Sequence, residues 1–240
     1  MGVQADGSIL PLRAGELRYE AGGVSLIKDI SFTLEAGTRT IVLGHNGAGK
    51  SLLLRLCHGL IAPTGGSVSW SGPDPGRRQA MVFQRPVMLR RTAAANIDYA
   101  LRIRGVPRAE RRRRIVDALK QTRLYRHADR QARTLSFGEQ QRLALARAWA
   151  IKPDVLFLDE PTASLDPAVT RSIEDLINLI HDAGTKIVMS THDLGQARRL
   201  ADEILFLHRG RLVAHAPADD VLNASNREEI RAFVEGELYW

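Results

Sequence analysis

Hydrophobic and polar residues follow two different periods along the chain, and each period predicts one type of element. Short runs predict strands at 40–43, which is rich in β-branched residues, at 65–72, which leads into a Gly/Pro turn, and at 80–84, which ends at Gln84. Between the first two runs, apolar residues recur at helical spacing in KSLLLRLCHGL. The first third of the chain is therefore expected to be rich in strands, with one helix that follows a glycine loop.

The pattern changes between residues 86 and 150, where the segments are helical, rich in arginine and free of strand signals. We interpret this stretch as a helical subdomain inserted into a core that is formed by 1–85 and 151–240. Within the second part of that core, apolar strands at 155–160 and 186–193 alternate with helices, and EILFLHRGRLVAHA has the pattern of a closing hairpin. Such alternation predicts an α/β fold with a mainly parallel sheet, whose ligands bind at the carboxyl ends of the strands.

The composition of the chain indicates what class of protein it is. The 240 residues are 44% hydrophobic, which is enough for a sizeable core, and a net charge of +7 favours an anionic partner. Cys57 is the only cysteine, and its apolar surroundings predict a buried, inert thiol. The first residues lack the pattern of a signal peptide, and no run of about 18 apolar residues occurs. These features predict a cytoplasmic protein that does not span a membrane.

The sequence GHNGAGKS fits the phosphate-binding pattern G-x-x-x-x-G-K-S and lies between a predicted strand and a predicted helix. Glycines let the backbone N–H groups of such a loop surround phosphates, while Lys50 reaches the terminal phosphates and the Ser51 hydroxyl binds Mg²⁺. An ordinary glycine-rich turn is the alternative, which the flanking elements disfavour. The predicted ATP-binding residues of the loop are Gly44, His45, Asn46, Gly47, Ala48, Gly49, Lys50 and Ser51.

A strand that ends in two acids, VLFLDE, supplies the second part of such a site. Asp159 is predicted to hold Mg²⁺, directly or through water, and Glu160 to polarise the attacking water. Two solvated carboxylates at a strand end are the alternative, although the apolar residues before them favour a functional pair. Together with the phosphate loop, these residues predict a P-loop NTPase.

A second anion-binding position is predicted at LSFGEQQRLALARA, residues 135–148. Ser136 and Glu139 have the S-x-x-E spacing of a capping box, so a helix should begin here with unpaired backbone N–H groups. A helix amino terminus binds anions, and Glu139 would be repelled by a phosphate unless its carboxylate turns back to the Ser136 N–H. The chain thus has two predicted anion sites far apart in sequence.

With these motifs in order, the chain resembles the ATP-binding subunits of ABC transporters over essentially its whole length. LSFGEQQR is similar to the signature sequence Leu-Ser-Gly-Gly-Gln of that family, from which Phe137 and Glu139 depart. The resemblance implies a P-loop core with a mainly parallel sheet, an N-terminal antiparallel β portion and an inserted helical subdomain. It also implies roles for residues outside the two motifs: Gln84 as a metal ligand from the Q-loop, Ser164, Leu165 and Asp166 as the D-loop, His192 as a catalytic switch histidine, and Tyr19 as a platform for adenine. A strand-edge tyrosine is the alternative for Tyr19.

The family's architecture explains why one chain would carry two anion sites. It implies a head-to-tail homodimer in which each ATP lies between the phosphate loop of one subunit and the signature of the other. The residues that would contact ATP in trans are Ser136, Phe137, Gly138 and Glu139. Because Phe137 lacks the backbone freedom of glycine, the loop geometry there is expected to differ from the family's.

The same resemblance implies the partners and the location. The chain would dock on two transmembrane permease subunits at the cytoplasmic face of the membrane, through a groove around Gln84–Arg91, and would act indirectly with an extracytoplasmic solute-binding protein. VFQRPVMLRRTAAANI resembles the cassettes of oxyanion importers, tungstate first and phosphate next. Importers of other solutes, an exporter or lipid-release cassette, and a soluble ABC ATPase acting on nucleic acid remain alternatives. We interpret the arginine-rich run Arg108–Arg114 as a solvated helix face, with contact to membrane phosphates left open and no nucleic acid expected.

Overall fold

The computed structural model describes residues 7–223 and 225–236. Its strands are β1 (Leu12–Ala21), β2 (Val24–Leu34), β3 (Arg39–Leu43), β4 (Gly65–Trp70), β5 (Gln79–Val82), β6 (Val155–Asp159), β7 (Lys186–Thr191), β8 (Glu203–His208) and β9 (Arg211–Pro217). Its α-helices are α1 (Lys50–His58), α2 (Pro75–Arg78), α3 (Ala93–Ile103), α4 (Arg108–Gln121), α5 (Phe137–Ala150), α6 (Pro167–Asp182), α7 (Leu194–Leu200), α8 (Ala218–Asn223) and α9 (Glu228–Glu235). Two short 3-10 turns, Tyr125–His127 and Ala132–Thr134, connect α4 to α5.

A six-stranded sheet in the order β5-β6-β7-β3-β8-β9 forms the centre of the fold. Neighbouring strands are parallel except β9, which pairs with β8 as the predicted antiparallel hairpin. Every residue of β6 and β7 is buried, as expected for parallel strands covered on both faces. Within this sheet Asp159 lies opposite Ser190, and Leu43 lies opposite Thr191. The carboxyl ends of β3, β6 and β7 are therefore neighbours, and the predicted motifs lie there.

A second, antiparallel sheet in the order β2-β1-β4 covers one side of the molecule. Its buried side chains, Leu17 and Ile27 among them, form one apolar cluster with Val42 of β3 and Leu53 of α1. The predicted α/β class, with a mainly parallel sheet and an N-terminal antiparallel portion, is confirmed.

The region between 86 and 150 contains α3, α4 and α5, which pack on one another. Their buried residues, such as Ile97, Leu119 and Leu143, belong to the same apolar cluster as Ile41 of the parallel sheet. The apolar core therefore continues from these helices to the sheet. The division of the chain into a core and an inserted subdomain stays a prediction.

Three features of the sequence prediction need correction. The strand predicted to end at Gln84 ends at Val82, because pairing with β6 stops at Leu158 and the chain then leaves the sheet with Phe83 and Gln84 exposed. Helix α2, before β5, and helices α8 and α9, after the hairpin, were not predicted. Within the arginine-rich run, Arg111 binds Asp98 and Arg114 binds Glu110, so the solvated face comprises only part of the run.

The structure also bears on the expected burial of Cys57 and on the expected lack of a membrane-spanning segment. Cys57 is buried, as predicted, and burial raises the pKa of its thiol to about 12, which leaves almost no thiolate near neutral pH. In the part of the chain that the structure describes, no helix is both long enough and apolar enough to cross a bilayer.

A buried ion pair lies at the amino ends of the parallel strands. The side chain of Lys186 is 1% exposed, and its Nζ atom lies 2.9 Å from Glu203 Oε1. Thr40 Oγ1 also donates to Glu203, and His215 Nε2 lies 3.1 Å from its Oε2 atom. Burial alone would raise the pKa of Glu203, but the hydrogen bonds from His215, Thr40 and Lys186 hold it well below its ordinary value. The carboxylate is therefore charged and serves as the counter-ion of Lys186.

We expect Glu203→Gln to lower the free energy of unfolding by about 3 kcal/mol, because it leaves the Lys186 ammonium buried without a counter-ion. Denaturant unfolding would measure the change, with the exposed Glu20→Gln as a control. Adding Lys186→Met to Glu203→Gln should recover part of the loss, since it removes the uncompensated charge. Strictly additive losses in the double variant would contradict this account.

Candidate functional site

The loop Gly44–Gly49 connects the end of β3 to the start of α1. Gly44 has φ 151°, and a Cβ atom there would overlap the Leu207 carbonyl oxygen, so only glycine fits. Gly49, the residue before α1, has φ 103° and offers no side chain to cap the helix. The backbone N–H groups at the start of α1 are thus available to an anion, which suits the predicted phosphate site.

Lys50 extends along this loop and is almost completely buried. Its Nζ atom donates to the Gly44 carbonyl at 2.8 Å and to the His45 carbonyl at 3.0 Å, and it lies 3.3 Å from Glu160 Oε1. Burial lowers the pKa of Lys50, and the neighbouring Glu160 carboxylate opposes that shift. The loop therefore holds a cation at its centre, beside the carboxylate predicted to act on water.

Asp159 ends β6 and joins two other segments through one carboxylate oxygen. Its Oδ1 atom accepts hydrogen bonds from Ser51 Oγ at 2.7 Å and from Ser190 Oγ at 2.8 Å, while Oδ2 lies 3.9 Å from Arg55 Nη2. Carboxylate and hydroxyl oxygens are the hard ligands that Mg²⁺ prefers, and Mg²⁺ often takes one or two protein ligands together with substrate phosphates. The pair Ser51 and Asp159 fits such an ion. Gln84 lies exposed on the loop after β5, and its place among the metal ligands stays a prediction.

Glu160 follows Asp159 in a left-handed backbone conformation, with φ 42°. Its N–H donates to the hydroxyl of Ser190 at 3.0 Å, and its Oε1 atom lies 3.3 Å from both Lys50 Nζ and His192 Nδ1. A positive φ at a residue other than glycine costs free energy and persists only where the surroundings impose it. The structure thus brings Lys50, Glu160 and His192 into one cluster, with His192 about half exposed.

Ser190 is the residue of this site that the sequence analysis missed. It is fully buried at the end of β7, where its hydroxyl donates to Asp159 and accepts from the Glu160 N–H. The sequence signal was present in STHD, but the serine lies before the histidine that drew attention. Only the register of β6 against β7, which puts Ser190 opposite Asp159, shows its place.

The predicted capping box is present at the start of α5. Ser136 Oγ accepts from the Glu139 N–H at 3.3 Å, and the Ser136 N–H donates to Glu139 Oε2 at 2.8 Å. This backbone hydrogen bond is the main cause that lowers the pKa of Glu139, and His127 Nε2 lies 3.5 Å from its other oxygen. The carboxylate is therefore turned back on its own helix, and Ser136 and Phe137 are the exposed residues at the start of the motif.

The signature motif and the D-loop lie against each other. Gly138 needs to be small, because a Cβ atom there would lie 2.8 Å from Val169 Cγ1 of α6. Asp166 caps α6 by accepting from the N–H groups of Ala168 and Val169. A cavity of about 480 Å³ is lined by both segments, and the described residues that line it do not include the phosphate loop. Its lining consists of Ser136, Phe137, Gly138, Glu139, Arg142, Ser164, Leu165, Asp166 and Val169.

Two predicted contacts of the nucleotide lie at the margin of the site. Tyr19 is half-buried in β1, beyond the last residue of that strand that pairs with β4, and it packs against the apolar cluster of the antiparallel sheet. The His45 ring packs edge-on against Phe233 of α9, with the ring centroids 4.7 Å apart. Stacking of Tyr19 on adenine, and contact of His45 with phosphate, stay predictions.

The sequence of the chain matches a known protein family and several of its members. Residues 27–163 match the protein family described as ABC transporter. The chain is 38% identical over 207 residues to the tungstate uptake system ATP-binding protein TupC of Peptoclostridium acidaminophilum, covering 85% of this chain and 97% of that protein. It is 34% identical over 253 residues to a probable anion import ATP-binding protein of Haloferax volcanii, covering 95% and 88%.

Other relatives are named for a different solute, and a solved structure has the same fold. The chain is 36% identical over 236 residues to the methionine import ATP-binding protein MetN of Caulobacter vibrioides, covering 92% of this chain and 71% of that protein. A solved structure titled as the ATP binding subunit of an ABC transporter superposes with a TM-score of 0.82 at 26% identity, covering 94% of this chain and all of that one.

We expect Glu139→Ala to lower the free energy of unfolding by about 1 kcal/mol, because it deprives the Ser136 N–H of its acceptor at the helix terminus. Glu139→Gln keeps an acceptor oxygen at the same position and should cost less. Urea unfolding would measure both variants beside Asp129→Ala, which removes an exposed carboxylate outside the capping box. A loss in Glu139→Ala no greater than that of Asp129→Ala would contradict the role of the capping box.

Proposed function

The chain belongs to the ABC transporter family as an ATP-hydrolysing subunit, and from this membership we propose that it drives the import of a small oxyanion, with tungstate as the first candidate. The observation that carries the ATP-hydrolysing part of the proposal is the convergence of the phosphate loop, the Asp159–Ser51 pair and the Glu160 cluster at three adjacent strand ends. In an α/β sheet this edge is where ligands bind.

The geometry supports a separate role for each residue of the site in binding phosphate, holding the metal ion or activating water. Backbone N–H groups of the loop and the Lys50 ammonium bind the phosphates of ATP. Ser51 and Asp159 would hold Mg²⁺, which when bound would neutralise charge on the phosphates. The Glu160 carboxylate accepts a proton from the attacking water, and His192, 3.3 Å from that carboxylate, orients it from the exposed side. Ser190 fixes both acids through its hydroxyl.

The signature site supports a head-to-tail homodimer. Its cavity is lined by the signature and the D-loop, without a residue of the phosphate loop among the described lining residues. A phosphate bound in the loop of one copy would complete this cavity in the other, where the Ser136 hydroxyl and the Gly138 N–H would contact the γ-phosphate. Because Glu139 is turned back on its own helix, its charge does not oppose that contact. Loss of the γ-phosphate on hydrolysis would then weaken the dimer.

The membrane partners would be two permease subunits, fed by a solute-binding protein on the far side of the membrane. Val87, in the proposed docking segment Gln84–Arg91, is 67% exposed, and Phe83 beside this segment is exposed as well. Exposed apolar side chains next to arginines are typical of a protein interface. The chain would therefore lie on the cytoplasmic face of the membrane as a peripheral subunit.

The choice of tungstate rests on similarity alone. TupC is 38% identical and is covered almost completely by the chain, and an anion importer follows at 34%. The methionine importer, at 36%, shows that identity at this level does not separate solutes. Solute specificity would reside in the permease and the binding protein, so a phosphate importer is the nearest alternative.

We expect Glu160→Gln to retain ATP binding and to lose about 10²–10⁴-fold in turnover, because the acid acts on water and does not hold the nucleotide. Phosphate release and nucleotide binding should be measured on one preparation, with Glu235→Gln, an exposed acid of α9, as the control. In cells that depend on this chain, tungstate uptake should stop as well. Turnover within a few fold of wild type would remove Glu160 from the mechanism, and unchanged tungstate uptake would exclude that solute.

We expect a disulfide to form between two copies of the chain when Asn46→Cys in the phosphate loop is combined with Ser136→Cys in the signature. The background is Cys57→Ala, which leaves no native thiol, with Glu160→Gln to keep ATP intact. A disulfide requires Cα atoms about 4.4–6.8 Å apart, which only a closed dimer would provide.

Oxidation with ATP should give a species of twice the subunit mass, and ADP or either single-cysteine variant should give much less. The experiment should be done with and without the permease, because docking on the permease would hold two subunits together. A disulfide confined within one chain, or equal cross-linking with ADP, would refute the ATP-bridged dimer.

A further inference from the structure

Two buried glutamines hold the turn that follows Glu160. Gln141 Nε2 donates to the Pro161 carbonyl at 2.8 Å, and Gln196 Nε2 donates to Thr162 Oγ1 at 2.9 Å. Both glutamines are at most 1% exposed. The turn itself is tight, because the Ala163 N–H donates back to the Glu160 carbonyl at 3.1 Å. Its position is therefore set from two sides by side chains that come from elsewhere in the chain.

The two glutamines come from the helices that carry the other functional motifs. Gln141 lies on α5, little more than one turn after the Ser136 cap, and Gln196 lies on α7, whose amino terminus Asp193 caps directly after His192. Gln196 also donates to Glu174 at 3.1 Å, an acid that Arg199 binds through two hydrogen bonds. Gln141 thus gives the signature helix a direct hydrogen bond to the residue next to Glu160.

The free-energy cost of burying the Gln141 amide indicates that stabilising the fold is not the main role of this side chain. Its Oε1 atom is buried and accepts no hydrogen bond from any residue within 7–223 or 225–236. Burying a half-satisfied amide is unfavourable, whereas an unbranched apolar side chain of similar volume would fill the same space without that cost. What the amide adds is a directed bond to one carbonyl group.

We propose that Gln141 is a positioning residue that fixes Glu160 relative to the signature helix, so that engagement of α5 by the partner subunit's ATP aligns the carboxylate. The Glu160 backbone has φ 42°, a conformation that its surroundings must impose, and Pro161 restrains the chain directly after it. The bond from Gln141 to the Pro161 carbonyl supplies that restraint from α5. This inference rests on the proposed function, in which α5 contacts nucleotide and Glu160 acts on water.

The test is Gln141→Met, with Gln79→Met as the matched control. Gln79 is also buried, and its Nε2 donates to the His58 carbonyl at 2.9 Å. Its Oε1 likewise accepts no hydrogen bond from a described residue. Gln79 lies at the amino end of β5, however, and therefore away from the candidate site. We expect Gln141→Met to lower kcat for ATP hydrolysis by about 10–100-fold, with KM within about twofold of wild type, because Glu160 is misplaced while the phosphate loop is intact. Gln79→Met should retain wild-type kcat, and both variants should shift the melting temperature equally.

Hydrogen exchange gives a second readout that does not depend on turnover. The amides of Ala163 and Leu165, which donate within the turn, should lose protection in Gln141→Met and keep it in Gln79→Met. Unchanged protection of these amides, or a kcat equal to that of Gln79→Met, would overturn the inference. Turnover by the wild type that Glu160→Gln abolishes would support the ATPase part of the proposed function whatever Gln141→Met does. Failure of the proposed function and failure of the Gln141 inference would therefore give different results.

Discussion

The hydrogen bonds that Asp159 accepts from Ser51 and Ser190 depend on one constraint, the parallel register of β3, β7 and β6. Because side chains alternate along each strand, a slip of one residue would turn the Asp159 carboxylate away from both hydroxyls. The apolar residues that bury both faces of β6 and β7 fix that register. The loop Gly44–Gly49, the acids Asp159 and Glu160, and His192 all lie at or directly after these strand ends, so the same core packing that stabilises the sheet also sets the geometry of the candidate site.

Two acids near the predicted anion sites each have a partner within the chain. Lys50 is buried beside Glu160, while Glu139, one of the residues that line the cavity at the signature, accepts from the Ser136 N–H of its own helix terminus. The departure of Glu139 from the family's glutamine is therefore compatible with phosphate binding, since a capping box can use either residue at that position. The departure of Phe137 places an exposed ring at the surface where the second copy would bind.

The sequence predicted those parts of the fold and site that depend on local pattern. Strand and helix periods identified the alternating core, the spacing of Ser136 and Glu139 identified the capping box, and the glycine pattern identified the loop before α1. It did not identify Ser190, Gln141 or Gln196, because their contacts depend on register and helix packing between residues that are 20 or more positions apart. Helix α9 was also missed, since its apolar face becomes meaningful only when Phe233 is seen against Phe206 and His45.

Lys50 is shared among three acceptors, and under the proposed function this sharing would connect nucleotide binding to the chemistry at Glu160. Its ammonium has three donors, which meet the carbonyls of Gly44 and His45 and the carboxylate of Glu160. Any phosphate oxygen that accepts from Lys50 must compete with one of these partners, and the charged phosphate is the strongest competitor for the same cation. Under the proposed function, to the extent that Lys50 turns to phosphate, its contact with the Glu160 carboxylate would weaken. The lysine predicted to bind phosphate is therefore also the neighbour of the acid predicted to act on water, while the hydrogen bonds of Gln141 to Pro161 and of the Glu160 N–H to Ser190 hold the backbone on either side of that acid.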